Sequence, residues 1–238
     1  MVKTKLEKTI SSYIGRLLRD HFGRGPGNVV CTVSGPYVVT QFSDFLSPME
    51  QSLMDSDQTV YVEKTRDLMM ETLTKEVTSF IELNTEGRVA EFYYDWNLTD
   101  KTGMMIAVLT APDKEHPLPE IDDYKNSGAL IEDIIQITTA VQKPPEETYS
   151  ILQNPRTLLI VRKGIFILLE KELIRLGFHE TLRITKRNLE KRFLFEYKER
   201  FEEHLDAELK DIFVDWDFDG DKSFILLHLK PSQKVFDK

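Results

Sequence analysis

The stretch Tyr94-Asp95-Trp96-Asn97-Leu98-Thr99-Asp100-Lys101-Thr102-Gly103 runs into Met104-Met105-Ile106-Ala107-Val108-Leu109-Thr110-Ala111-Pro112. It returns near the other end as Val214-Asp215-Trp216-Asp217-Phe218-Asp219-Gly220-Asp221-Lys222, running into Phe224-Ile225-Leu226-Leu227-His228-Leu229-Lys230-Pro231. Both read as apolar strand, Asp-Trp, acidic turn, Lys, apolar strand and Pro. Trp96 and Trp216 are the only two tryptophans and stand 120 positions apart in 238 residues. A repeat of this length fixes the architecture before any single element is read.

Working outward, Lys64-Thr65-Arg66 opens a helical pattern with Met70, Leu73, Val77, Phe80 and Ile81 on one face, and Thr185-Lys186-Arg187 opens another. Arg66 and Arg187, Leu73 and Leu194, and Phe80 and Phe201 are each 121 apart, so the spacing predicts a one-residue gap in the loop before the Trp strand. Residues 29–45 and 158–173 each read as two apolar runs around a Gly turn, the second pair as strands 158–161 and 165–169 turning at Arg162-Lys163-Gly164. A helical pattern precedes each hairpin. The fold expected is α+β: two tandem α-β-β-α-β-β repeats, residues 1–115 and 116–238, each a four-stranded antiparallel sheet covered by helices, forming a pseudo-dimer. Pro112, Pro117 and Pro119 among charged residues mark the connection.

Composition excludes several classes. No apolar run approaches the roughly 20 residues that span a bilayer, so direct membrane insertion is not expected. The first residues lead into an amphipathic helix rather than a signal-peptide core. A net charge of −9 argues against nucleic acid and against docking on anionic lipid. The one cysteine, Cys31, precludes an internal disulfide and suits a reducing cytoplasm; between Val29 and Val33 it reads as a buried strand residue. Arg183, Lys186, Arg187, Lys191 and Arg192 form the strongest basic cluster, and Arg192/Glu196 pairing reads it as a solvated helix face.

Chemistry-bearing motifs are few. Asp215 to Asp221 imitates the start of a calcium loop, but the twelfth position is Leu226, so an acidic hairpin turn is expected and no metal site. His21, His116, His179, His204 and His228 form no ligand pair, and neither a nucleophile motif nor a catalytic carboxylate pair stands out. No cofactor and no enzyme activity are expected. Gly23-Arg24-Gly25-Pro26 could offer a guanidinium and backbone amides to a small anion, with Glu50 and Arg66 nearby. Its place after a helix C-terminus opposes that, because the dipole there repels anions.

Gly23-Arg24-Gly25-Pro26, a hairpin, the segment Leu46-Ser47-Pro48-Met49-Glu50-Gln51-Ser52-Leu53 and the helix carrying Arg66 resemble the MpsC-like family. Ser47 stands where that pattern has Thr. The resemblance covers about residues 3–111. The second repeat keeps Arg187 but lacks both the Gly-x-Gly-Pro loop and the Pro-x-Glu motif, so a site built on them is expected in the first half only. The resemblance implies a soluble, non-enzymatic accessory protein of a membrane-linked ion or inorganic-carbon (bicarbonate) transport system. It would be cytoplasmic, held at the inner face of the membrane through a transporter subunit, and able to pair with a second copy. The alternative is a small-anion or metabolite sensor using Arg24, Gly25, Glu50 and Arg66; an unrecognised enzyme ranks third.

Overall fold

The computed structural model describes residues 4–110 and 124–230, and the chain divides into two compact units, Met1–Leu118 and Pro119–Lys238. The expected boundary at 115/116 and the proline-rich connection up to residue 123 lie outside the described residues.

In the first unit, α1 (Lys5–Phe22) precedes the hairpin β1 (Asn28–Ser34) and β2 (Tyr37–Ser43). The short α2 (Pro48–Asp55) and long α3 (Thr59–Asn84) follow, then the hairpin β3 (Arg88–Asn97) and β4 (Thr102–Thr110). The second unit repeats the order with α4 (Ser127–Val141), β5 (Glu147–Asn154), β6 (Thr157–Lys163), α5 (Leu168–Arg175), α6 (His179–Glu196), α7 (Lys198–Leu205), β7 (Glu208–Asp217) and β8 (Lys222–Lys230). The sheets are ordered β1-β2-β4-β3 and β5-β6-β8-β7, all antiparallel. The α+β fold with two four-stranded, helix-covered sheets is therefore present.

Local chemistry explains the boundaries. Thr4 caps α1 by accepting from the Glu7 amide, and Glu7 Oε2 accepts from the Thr4 amide at 2.7 Å, a capping box. The other Glu7 oxygen accepts from Val33 N, and Ser11 Oγ accepts from Cys31 N, so α1 side chains cover amides of the edge strand β1. Gly23 ends α1 in the left-handed conformation, φ +72°. Ile10, Ile14 and Leu18 of α1 and Met70, Leu73, Val77 and Ile81 of α3 pack on Val38, Phe42, Trp96, Met105 and Ala107 of the sheet.

Two expectations are corrected. The second-half hairpin is β5 and β6, not 158–161 with 165–169. Ile165 to Leu169 is apolar but crosses into α5, and Asp221 Oδ1 holds the amides of Ile165 and Phe166 at 2.8 and 2.9 Å. The spacing is 120 at Arg66/Lys186 and again at Glu82/Glu202, while buried Leu73 and Leu194 keep the expected 121 and the second half breaks its helix at Tyr197. Glu82 and Glu202 each accept the amide at the start of the next strand, Val89 and Leu209. Both Trp strands bulge at the same place, between Val89 and Glu91 and between Leu209 and Asp211. The bulge turns Val89 and Leu209 to the core alongside Trp96 and Trp216.

Candidate functional site

Each unit holds a buried cation beside its tryptophan. Arg66 of α3 is fully buried and gives Glu50 of α2 two hydrogen bonds, Nε to Oε1 at 2.7 Å and Nη2 to Oε2 at 3.0 Å. Nη2 also reaches the Phe45 carbonyl at 3.0 Å. The guanidinium carbon lies 4.7 Å from the Phe45 ring centre, 4.9 Å from that of Trp96 and 5.6 Å from that of Phe22. Nη1 has no hydrogen-bond partner among the described residues.

Glu50 does two jobs. Oε2 accepts from the Ser47 amide at 2.7 Å while Ser47 Oγ accepts from the Glu50 amide, so the carboxylate starts α2 as well as binding Arg66. It is the one buried residue of α2. Burial pushes its carboxyl up, but hydrogen bonds and charge from Arg66, with the Ser47 amide, outweigh burial and hold it below the usual glutamate value.

The second unit holds the counterpart. Lys186 stands 120 residues after Arg66, and Glu170 stands 120 after Glu50. Lys186 Nζ lies 2.7 Å from Glu170 Oε1, 5.0 Å from the Phe166 ring centre and 5.2 Å from that of Trp216. Glu170 Oε2 accepts from the Ile167 amide at 2.9 Å, the same back-bond that Glu50 makes. The second half lacks the Pro of the Pro-x-Glu motif, but the glutamate has its counterpart in Glu170, so this internal pairing is not confined to the first half. Arg187, expected to match Arg66, is one position off.

Around this pair the second unit exchanges apolar groups for polar ones. At 120-residue spacing, Leu18, Phe22, Phe42, Met70 and Gly103 are replaced by Thr138, Gln142, Arg162, Glu190 and Ser223. Arg162, fully buried, donates to Glu190 Oε2 at 2.6 Å, Ser223 Oγ at 2.9 Å and Thr138 Oγ1 at 3.0 Å. Glu190 Oε1 takes Lys186 Nζ at 3.0 Å and Trp216 Nε1 at 3.1 Å, and Gln142 Nε2 reaches Glu170 at 3.0 Å. Burial raises the Glu190 carboxyl, but the charges of Arg162 and Lys186 hold it below the usual value. Gly103 has a steric reason: a Cβ there would meet Phe42 at 2.4 Å, whereas Ser223 faces Arg162 and binds it.

The other sequence candidates lie elsewhere. Arg24 pairs with Asp44 at 3.1 Å on the surface. A Cβ at Gly25 would sit 3.2 Å from the Gly15 carbonyl and 3.0 Å from Arg19, so Gly25 serves close packing of the loop on α1. The basic cluster is a solvated face only in part: Arg192 and Glu196 are exposed, but Lys186 and Arg187 are buried and Arg183 pairs with Asp215. Of the acidic turn, Asp217 accepts from the amides of Asp219 and Gly220, and Asp221 binds Lys171 at 2.9 Å. Among the described residues no group of three or more His, Cys, Asp or Glu side chains is placed to hold a metal ion.

Residues 2–111, α1 through β4, match the family model described as "Na+-translocating membrane potential-generating system (MpsC)". The first half of the chain thus matches the MpsC family. No curated protein and no solved structure matches it. The family match encloses the whole Glu50–Arg66 centre and ends where β4 ends, and the Glu170–Lys186 centre repeats the arrangement outside it. No helix among the described residues is long and apolar enough to cross a membrane.

Proposed function

We propose that this chain is a non-catalytic accessory protein of a membrane-linked ion-transport system, one that serves sodium or inorganic-carbon (bicarbonate) movement by binding a transporter subunit. The observation that carries this reading is the match of residues 2–111 to a family described by a sodium-translocating, potential-generating system. The site geometry supports it. The buried cations already hold carboxylates of their own chain, so they read as the fold's internal locks rather than as reactive groups. A protein with no spanning helix among its described residues and a first half matching such a family would act beside the membrane through a partner.

The test is copurification of the full tagged chain from native membranes, together with sodium-dependent membrane potential in cells lacking it. The reading expects a transport protein in the purified complex and a lower potential in the deletion strain. A chain that purifies without any transport protein, in cells whose potential is unchanged, would contradict it.

A further inference from the structure

One face of α1 takes no part in the fold. Lys5, Lys8, Ser12, Arg16 and Arg19 follow one another at spacings of three and four residues, and all five are exposed. At 3.6 residues per turn they form a stripe about 80° wide and about 21 Å long. Ile10, Ile14, Leu17 and Leu18, which pack into the core, lie on the opposite side of the helix. The stripe therefore points straight out into solvent.

Its charge is not used within the chain. None of its four cations pairs with a carboxylate among the described residues. Glu7 is turned inward to the amides of Thr4 and Val33, and Glu76 of α3 takes His21 at 3.3 Å. Asp20 borders the stripe without an ion pair to it. Lys5 and Lys8 also oppose the positive end of the helix dipole, so they do not stabilise the helix that carries them. Nor does the fold require the stripe. At 120-residue spacing, Lys8, Arg16 and Arg19 are replaced by Gly128, Gln136 and Thr139, Glu132 takes the place of Ser12, and only Lys125 matches Lys5.

We propose that the α1 stripe is an electrostatic docking surface for an anionic lipid bilayer, whose headgroup phosphates meet Lys5, Lys8, Arg16 and Arg19. A straight row on a convex helix offers no recess for a peptide, whereas a plane of headgroups meets all four cations at once. The apolar face of α1 is committed to the core, so the helix lies on the surface and nothing inserts. The whole-chain charge of −9 does not prevent this contact. Charges are screened over about 10 Å at 0.1 M salt, so a segregated stripe at the surface acts apart from acidic groups elsewhere on the chain. The inference does not rest on the accessory reading, since it needs lipid and no transporter.

The test sediments the purified full chain with vesicles of phosphatidylcholine alone and with vesicles that also contain phosphatidylglycerol. The proposal expects binding to the second only, and loss of that binding as salt rises from about 0.05 to about 0.5 M. Lys5→Gln/Lys8→Gln/Arg16→Gln should weaken binding about tenfold or more. Lys75→Gln/Lys125→Gln/Arg192→Gln removes three exposed cations outside α1, changes the net charge equally, and should leave binding unchanged. All six positions are exposed, so circular dichroism should show native helix content in both variants. No binding to phosphatidylglycerol vesicles at low salt overturns the proposal, and so does binding that survives high salt. Equal binding by the α1 variant overturns it, as does an equal loss in both variants, which would assign the effect to net charge. An α1 variant that binds vesicles normally but loses a protein copurifying with the native chain would make the stripe a protein contact, and the proposal falls. A chain that binds vesicles through α1 yet brings no transport protein from native membranes keeps this surface and loses the accessory role; one that copurifies with a transport protein but ignores vesicles does the reverse.

Discussion

Glu50 and Glu170 stand 120 residues apart and make the same pair of contacts, each capping its own short helix and each binding the buried cation of the following long helix. The cations differ. A guanidinium can take one carboxylate by two parallel bonds and still reach a carbonyl, as Arg66 does; an ammonium is a point charge with three donors, and Lys186 divides between Glu170 and Glu190. That difference sets how each half responds to losing its glutamate.

Glu50→Gln leaves Arg66 fully buried beside aromatic rings with no countercharge. It should cost about 3–5 kcal/mol, the range for breaking a buried pair from one side. Glu170→Gln should cost less, about 1–3 kcal/mol, because Glu190 remains 3.0 Å from Lys186. Urea unfolding of the two variants side by side measures the difference; equal losses would contradict the shared role of Glu190.

The polar network of the second half should be replaceable as a unit but not piecemeal. Arg162→Phe alone leaves Glu190 short of its closest partner and drives a ring against Ser223, with an expected loss of about 3–5 kcal/mol. Adding Glu190→Met and Ser223→Gly installs the first half's own solution, Phe42, Met70 and Gly103. The triple variant should recover most of that loss in chemical denaturation, because hydrophobic replacement of a buried ion pair is often close to neutral.

Trp96 and Trp216 are both buried, at the ends of corresponding strands, facing the cation of their own half. Trp96→Ala and Trp216→Ala should each cost about 3–5 kcal/mol in unfolding experiments. A negligible loss at either position would mean that the two halves do not share this packing.

Acid should loosen both locks. The folded-state pKa values of Glu50 and Glu190 lie below the ordinary value of 4.5, so their stabilisation is complete above that value. It is lost as pH falls from there through the depressed folded-state values. Thermal unfolding followed across that window should show a steep fall in stability for the native chain and a shallower one for Glu50→Gln.

The repeat itself was legible because two tryptophans in matching strand–turn–strand contexts survive divergence, and because apolar alternation predicts strands. Period reading failed where composition misled. Ile165 to Leu169 is as apolar as a strand, yet it carries the chain into α5, and only the Asp221 side chain reveals the turn. Arg187 drew the helix register to 121 by identity, although Lys186 supplies the charge. The buried role of Lys186 and Glu190 was hidden because charged residues on a long helix ordinarily face water. One signal could have found them: five apolar residues of the first half turn polar together at a spacing of 120, the pattern of a linked network rather than of a surface.

A double-mutant cycle on Glu170 tests the central claim most directly, since it asks which cation the second lock uses. Glu170→Gln combined with Lys186→Met should show a coupling of about 1–3 kcal/mol, as residues in contact do, comparable in sign to Glu50→Gln with Arg66→Met. Glu170→Gln combined with Arg187→Met should be additive to within about 0.5 kcal/mol. Strong coupling of Glu170 to Arg187, with none to Lys186, would contradict the 120-residue register and with it the equivalence of the two halves.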